Sequence, residues 1–471
     1  MSSKERRELE WLALDAALRT RFPAFLRKVF NTLCPGQPFE PGWAIEAMAH
    51  QAGRVLRGEE RRLIINLPPR SLKSIAFSVA LPAYALGLNP RLRIICVSYS
   101  GDLARKLSND FRAVVESDWY GRIFPNTRIG RFKNTESEIE FTERGYRLAV
   151  SVNGTLTGRG GDLIIIDDPI KPAEALSEAA RTGVNQWFLN TLLSRQDNKL
   201  TAAILIVMQR VHVDDLTGSL LSGPEPWTVL KLPAIAEERE LIPIGGGRHH
   251  ERLPGDVLWP KREPRHILEM LRLQFGSDIF SAQYQQAPMP PSGAMIKRHW
   301  ISRYGSLPAR TSRSRVVQSW DTASKGGAEN DWSVCTTWLI ESGQFYLIEV
   351  DRDRYDYPQL KQRALLLADR HRPASILIED AGTGSALVQE LRRMGRSAIG
   401  IRPEGDKIAR MSVQSAKFEA GLVHLPERAS WLAEFEAELF AFPGSRHDDQ
   451  IDSVSQALAH GVRGISMIDV L

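Results

Sequence analysis

The sequence predicts two α/β domains in succession, and three observations predict them. A short apolar strand runs through Leu63, Ile64, Ile65, Asn66 and Leu67, stops at Pro68 and Pro69, and gives way at Lys73-Ser74 to the helical run IAFSVALPAYAL. A second strand, Leu163 to Ile166, leads straight into Asp167 and Asp168. Past about residue 300 the strand pattern restarts, and three of its apolar elements end or begin on acids: Asp321, Glu379-Asp380 and Asp448-Asp449.

Composition sets the bounds. At 471 residues the chain exceeds one ordinary core, so two or three domains are expected. Hydrophobic content of 43% and charged content of 25% describe a soluble globular protein. No apolar run reaches the roughly 18 residues of a membrane helix, and no signal peptide opens the chain. A cytosolic protein is the expectation. Cys34, Cys96 and Cys335 lack CxxC or Cys/His spacing, which implies neither disulfides nor structural zinc. A net charge of +5 is mild support for a polyanionic partner.

Taken in order, residues 4–33 place Leu9, Leu12, Leu14, Leu18, Phe22, Phe25, Leu26, Val29 and Phe30 at helical spacing, an amphipathic helix broken near Pro23. Its basic face suits either solvent or a docked DNA or protein partner. Trp43 to Leu56 is a second helical segment. Its Gln51 carries an amide that donates and accepts at once, which suits an adenine edge, although a surface glutamine explains it equally.

Strand, tight loop and helix in that order form the arrangement in which backbone N–H groups and a helix N-terminus hold phosphate. A lysine then reaches the β- and γ-phosphates and a hydroxyl ligates Mg²⁺. Lys73 and Ser74 fit these roles, with Arg70 and Ser71 beside them in the loop as nucleotide-binding candidates. The usual pattern GxxxxGK[ST] has glycines where this chain has Leu67 and Leu72, so the loop must reach its shape another way. A plain strand-turn-helix with a solvated lysine is the competing account.

The strand RLRIICVSYS (91–100), a helix over 102–117 and strands over 139–141 and 146–152 follow. The loop from Gly154 to Gly161 is dense in glycine and carries Arg159. An arginine one strand from the acids is suited to neutralise charge on a transferred phosphoryl group, in its own site or a neighbouring subunit's. The run Leu163 to Ile166 suits a central parallel strand buried on both faces. Its two carboxylates then fall at the edge where open α/β sheets bind ligands. One acid would hold Mg²⁺ through water and the other orient the attacking water, whereas an Asp-Asp-Pro turn accounts for the aspartates alone. AAILIVMQR (202–210) adds another buried strand ending at Gln209 and Arg210. Alternation over 60–230 predicts a P-loop NTPase parallel sheet with helices on both faces.

Prolines and glycines crowd residues 233–315, which read as a linker containing one helix, Pro264 to Phe275. The predicted organisation is an N-terminal helical segment over 1–40, an ATPase domain over 41–235, a linker over 236–310, a second domain over 311–463 and a tail over 464–471.

In the second domain a strand ends at Asp321, a hairpin follows (SVCTTWLI, then QFYLIEV), and SILIED leads into the turn Gly382 to Gly384. HDDQID then opens a helix over Ser453 to His460. This is the strand and helix order of an RNase H-like α/β nuclease, in which clustered acids hold two Mg²⁺ or Mn²⁺ for in-line phosphodiester displacement. Hard oxygen ligands suit those ions better than zinc. Asp448 also has the position of a simple helix cap. Arg402, Lys407 and Arg410, between the second and third acids, suit a DNA backbone or a solvated helix start.

An NTPase sheet followed by an RNase H-like nuclease resembles the large subunit of a tailed-bacteriophage terminase. The motifs LPPRSLKS, LIIIDDP, MQRVHVDDL, SWDTA, IEDAGTG and HDDQIDS carry the likeness, from about residue 40 to 460. In that family the phosphate loop often lacks glycine and carries an arginine. The resemblance implies that Lys73 and Ser74 bind ATP phosphate and Mg²⁺, and that Asp167 directs the metal. Asp168 stands where the family usually has a catalytic glutamate, Arg159 matches an arginine acting across subunits, and Met208 to Arg210 match a coupling motif. Asp321, Glu379 and Asp448 match the nuclease metal triad, with Asp449 and Asp452 as substitutes or auxiliaries. Further implications are double-stranded DNA as substrate, a homo-oligomeric ring at a procapsid portal, portal protein and small terminase subunit as partners, and action in the bacterial host cytoplasm. A helicase or repair ATPase with a non-cleaving C-terminal half, a transposase-like nucleotidyl transferase and a degenerate prophage relic are the alternatives.

Overall fold

The computed structural model describes residues 3–154, 156, 158–289, 295–322, 332–403, 406–443 and 448–461. Thr155, Thr157, His447 and the expected tail over 464–471 lie outside them. Two compact units form: Met1–Glu269 with Asp278–Met289, and Met270–Ser277 with Pro290–Leu471. Among the described residues no helix is long and apolar enough to cross a membrane.

The first unit is built on an eight-stranded sheet. Its strands are β1 (Arg62–Asn66), β2 (Arg93–Ser98), β3 (Ile129–Asn134), β4 (Glu138–Phe141), β5 (Tyr146–Ser151), β6 (Leu163–Asp167), β7 (Ala203–Met208) and β8 (Thr228–Lys231), in the order β3-β4-β5-β2-β6-β7-β1-β8. From β5 to β8 all neighbours are parallel, and the two edge strands β3 and β4 are antiparallel. The aliphatic runs are continuous because both faces are covered. In β6, Leu163 and Ile165 join the layer of Phe25, Ala47 and Leu81, while Ile164 and Ile166 join that of Trp187, Phe188 and Leu192. This is the predicted parallel sheet with helices on both faces.

The N-terminal segment divides into helices Ser3–Thr20 and Phe22–Leu33, broken at Arg21 with Pro23 in the second helix's first turn. It does not stand apart as 1–40: Phe25, Leu26 and Val29 are buried in the core of the first sheet, because Phe25 packs on the rings of Tyr84, Trp119 and Tyr120. The stretch expected as a linker, 236–310, is also largely built. Strands β9 (Glu240–Gly245) and β10 (Arg248–Arg252) pair as a hairpin, and helices Arg265–Phe275 and Ser277–Gln283 follow. Its glycines mark a tight turn rather than loose chain, since Gly245, Gly246 and Gly247 all take positive φ.

The second unit carries a seven-stranded sheet of β11 (Ser302–Tyr304), β12 (Arg315–Asp321), β13 (Ser333–Glu341), β14 (Gln344–Asp353), β15 (Ser375–Glu379), β16 (Ala398–Ile401) and β17 (Val423–Pro426). Their order is β11-β17-β14-β13-β12-β15-β16. The hairpin pairs β13 against β12 and β14, and β15 lies parallel to β12 on the other side. The expected RNase H-like sheet is present. Helix Asp449–Gly461 is pinned across it by Ser453, whose hydroxyl donates to Ser319 O (2.7 Å) and accepts from Thr336 N (3.2 Å).

One packing feature of this unit has a measurable cost. Burial pulls the Lys417 ammonium down from 10.5 to about 8, with Gln414 its hydrogen-bond partner among the described residues and the Phe345 ring 5.9 Å away. A base held below its unfolded value stays charged at a cost below about pH 8, and that cost fades as pH rises toward 10.5. Lys417→Met is therefore expected to stabilise the protein by about 1–2 kcal/mol at pH 7, with the gain shrinking above pH 8 in denaturant titrations.

Candidate functional site

Each unit concentrates charge at the C-terminal edge of its sheet. In the first, β1 is followed by the loop to Lys73. Leu72, at the motif's second glycine, itself takes φ 59°, and Arg70 takes φ 61°. The second missing glycine is thus replaced by a side chain held in the left-handed region, which costs an ordinary residue about 1–2 kcal/mol. Leu72→Val, adding a β-branch there, should destabilise the unit by a further amount of about 1–2 kcal/mol in denaturant unfolding.

Lys73 is buried and its Nζ lies 2.9 Å from Asp168 Oδ2. The backbone N–H of Gln209, just past β7, donates to Asp168 Oδ1 (3.0 Å). Asp167 is fully buried at the end of β6, and its Oδ2 accepts from the hydroxyl of Ser78 (2.8 Å). Among the described residues its Oδ1 is buried with no hydrogen-bond partner. Burial, and then repulsion from Asp168, push the Asp167 carboxyl up to about 6, against the pull of Lys73, Ser78 and Ser74. An orphaned buried carboxylate oxygen beside a lysine and a serine hydroxyl is a donor set that fits Mg²⁺.

Ser78 was not among the expected residues, although it lies one helical turn beyond Ser74 and on the same face. The helix is π-helical over Ile75–Ala80 and α-helical over Leu81–Leu88, and the Ser78 carbonyl accepts from Nη2 of the fully buried Arg147 (3.0 Å). A π turn at such a place is a common mark of function.

The other expected nucleotide contacts have partners within the chain. Ser71 is fully buried and its hydroxyl accepts from Trp259 Nε1 (3.3 Å). Arg70 is exposed, with its carbonyl accepting from Arg262 Nη1 (2.6 Å). The Gln51 side chain is buried and accepts from Arg54 Nη1 (3.1 Å), while Arg54 also pairs with Glu60. Arg159 is not beside Lys73. It pairs with the buried Glu138 and lies over the ring of Tyr146, the first residue of β5, at the opposite edge of the sheet.

The loop after β7 is closed on itself. Arg210 Nε reaches Asp215 at 3.0 and 2.9 Å, and Asp215 also accepts from Val211 N (2.9 Å) and caps helix Leu216–Leu221 through Gly218 N (3.0 Å). Gly218 is required, because a Cβ there would lie 1.7 Å from Val213 O. This closure holds the Gln209 N–H on Asp168.

In the second unit, β12 and β15 are parallel neighbours that end at Asp321 and Glu379. Gly384 lets the chain turn tightly behind Glu379, where a Cβ would lie 2.1 Å from the Glu379 carbonyl. Asp380 is used structurally, accepting from Ser385 Oγ (2.7 Å). Burial raises the Asp321 carboxyl well above the carboxylate range, reinforced by Asp452 and then Glu379. Glu379 is raised by burial and by Asp452.

Asp452 is thus the acid whose charge bears most on this pair. Asp448 and Asp452 sit one turn apart at the start of helix Asp449–Gly461, and Lys407 Nζ lies 2.7 Å from Asp448 Oδ1 and 2.7 Å from Asp452 Oδ2. Arg410 takes the other oxygen of Asp452. Lys407 and Arg410, read as suiting either a DNA backbone or a solvated helix start, are turned onto acids, because helix Lys407–Glu419 packs against helix Asp449–Gly461. Arg402 lies 3.5 Å from Asp380 and is exposed. Asp449 contributes to the raised Asp321 carboxyl more weakly than Asp452 and Glu379. Among the described residues no three acids close on one point as an ion cage. The donor set is nevertheless all hard oxygen, and Asp321 and Glu379 make no ion pair among the described residues, which fits a divalent cation.

Residues 318–460 match the family model described as the terminase RNaseH-like domain. The large terminase of a thermophilic bacteriophage has a similar fold at 10% identity, covering 90% of this chain and 99% of that one with a TM-score of 0.54. The same bacteriophage's large terminase in complex with ADP matches at 10% identity, 88% and 99% coverage and a TM-score of 0.51. Its complex with ATP-γ-S matches at 11% identity, 87% and 98% coverage and a TM-score of 0.50. No curated protein sequence matches the chain. The resemblance drawn from the motifs is thus borne out in fold along nearly the whole chain and in family over its C-terminal domain.

Proposed function

We propose that this protein is the large subunit of a viral DNA-packaging motor, which hydrolyses ATP to drive double-stranded DNA into a procapsid and cuts that DNA with a metal-dependent endonuclease. The observation that carries the reading is the presence of two separate acid-and-cation sites, each at the C-terminal edge of its own sheet, in a chain with the fold of large terminases. A helicase with a binding-only C-terminal half accounts for the first site but leaves Asp321 and Glu379 without a purpose.

In the first site Lys73 and Ser74 would bind the nucleotide's phosphates, and Asp167 with Ser74 would hold Mg²⁺ on its free oxygen. Asp168 would orient water once the phosphates draw Lys73 away from it. Positioning and charge neutralisation are most of what phosphoryl transfer needs. Arg159, at the opposite edge from Lys73, would serve a neighbouring subunit of a homo-oligomeric ring. The loop that joins Gln209 to Arg210 and Asp215 would carry the state of the nucleotide to the rest of the chain. The portal protein and a small terminase subunit are the partners this reading implies, in the host cytoplasm.

In the second site Asp321, Glu379 and Asp452, with Asp448 beside them, would hold Mg²⁺ or Mn²⁺. Bound there, two such ions supply Lewis-acid stabilisation of the charge that develops during in-line phosphodiester hydrolysis. The carboxylates contribute by being fixed: β12 and β15 set two of them, and Ser453 sets the helix that brings the third. Incubating the full chain with plasmid DNA and Mn²⁺ or Mg²⁺, with ATP hydrolysis read in parallel, tests the proposal. Chelator-sensitive cutting together with ATP hydrolysis is expected; ATP hydrolysis with no cutting under any divalent ion would favour the helicase-like reading.

A further inference from the structure

The second site already contains a cation of its own, and its placement has a consequence for how the site fills. Lys407 Nζ sits 2.7 Å from one oxygen of Asp448 and 2.7 Å from one of Asp452, while Arg410 covers the remaining oxygen of Asp452. Asp321 and Glu379 carry no such partner among the described residues. The four acids thus divide into a pair neutralised by the chain and a pair left open.

A divalent ion binds carboxylate oxygens at about 2.0–2.1 Å. An ammonium already hydrogen-bonded to the same oxygens excludes it, so an ion that used Asp448 and Asp452 would have to replace Lys407. The means for that exchange are present. The Lys407 side chain is 40% exposed, on a flexible stem whose head is readily rehydrated, whereas Asp452 is 6% exposed and anchored through Ser453. The base can leave and the acid cannot follow it.

Resting on the nuclease reading, we propose that Lys407 is a resident cation occupying the place of the second divalent ion. The site accepts one ion at Asp321 and Glu379 without competition, and a second only when Lys407 is displaced. A nuclease with one ion bound is held off until a stronger demand, such as the phosphates of a correctly seated duplex, draws Lys407 out.

The test is Mn²⁺ binding to the full chain without nucleotide, read by isothermal titration calorimetry for wild type, Lys407→Gln, Lys407→Arg and Asp321→Asn. Wild type is expected to bind one ion through Asp321, with the second at least tenfold weaker. Lys407→Gln should tighten the second ion at least tenfold, and Lys407→Arg, whose planar fork holds two carboxylates more firmly, should weaken it. Equal second-ion affinity in Lys407→Gln and wild type, or weaker affinity in the variant, overturns the proposal. Should Lys407→Gln not fold without metal, the arginine variant decides it, and an affinity equal to wild type overturns it. A loss of thermal stability in Lys407→Gln that Mn²⁺ does not restore marks a purely structural lysine and also overturns it. An isotherm that Asp321→Asn leaves unchanged fails the nuclease reading itself, and the inference with it.

Discussion

Asp321→Asn is expected to reduce metal-dependent plasmid cutting by on the order of 10³-fold or more while leaving ATP hydrolysis unchanged. A bound ion contributes several kcal/mol of charge stabilisation to phosphodiester hydrolysis, and about 4 kcal/mol corresponds to roughly 10³ in rate. Asparagine keeps the size of the side chain, so the end of β12 is not hollowed out. The variant should also be more stable than wild type in chelator. Burial and the neighbouring Asp452 and Glu379 raise the Asp321 carboxyl. A carboxyl raised in the folded state favours the protonated form, and the stability it provides in acid is lost as pH rises from the usual carboxylate range through the raised value. At neutral pH the ionised group is a liability, which the neutral amide removes. Loss of cutting with a higher thermal midpoint therefore marks a functional residue. Cutting that survives the substitution would remove Asp321 from the reaction.

Lys73→Ala should do the reverse, lowering ATP hydrolysis by about 10²-fold or more and sparing DNA cutting by the isolated protein. The ammonium is the single cation within 4 Å of Asp168 among the described residues, and it also lowers the Asp167 carboxyl. Removing it strips the site of its charge for the nucleotide and leaves two adjacent acids, one of them fully buried, without compensation. The penalty for an unpaired buried charge is typically about 3–5 kcal/mol, so some loss of stability should accompany the loss of activity. Lys73→Arg should not rescue hydrolysis, because the lysine side chain is only 6% exposed and a wider guanidinium does not fit that slot. Hydrolysis at the wild-type rate in both variants would exclude the loop from nucleotide chemistry.

Much of this arrangement was legible in the chain. The continuous apolar runs of β1, β6 and β7 announced a parallel sheet covered on both faces, and the acids at the strand ends marked its ligand edge. Three of the nucleotide-site candidates have partners within the chain that the sequence does not show, because a residue type tells what a side chain is able to contact but not which neighbour it meets. Ser71 went to Trp259, Gln51 to Arg54 and Arg159 to Glu138, partners far away in the sequence or hidden by helical spacing. Ser78 was readable in principle, as the residue one turn beyond Ser74.

The class of each domain, the order of its elements and the acids at strand ends are written in the chain, because strand periodicity and termination are local properties. The folded chain alone shows that Asp452 bears most on the Asp321 carboxyl and that Lys407 and Arg410 lie on acids. Those choices depend on how helix Asp449–Gly461 is rotated against β12, β13 and helix Lys407–Glu419. Buried contacts such as Ser453 with Ser319 and Thr336 set that rotation, and they join segments that no local pattern connects.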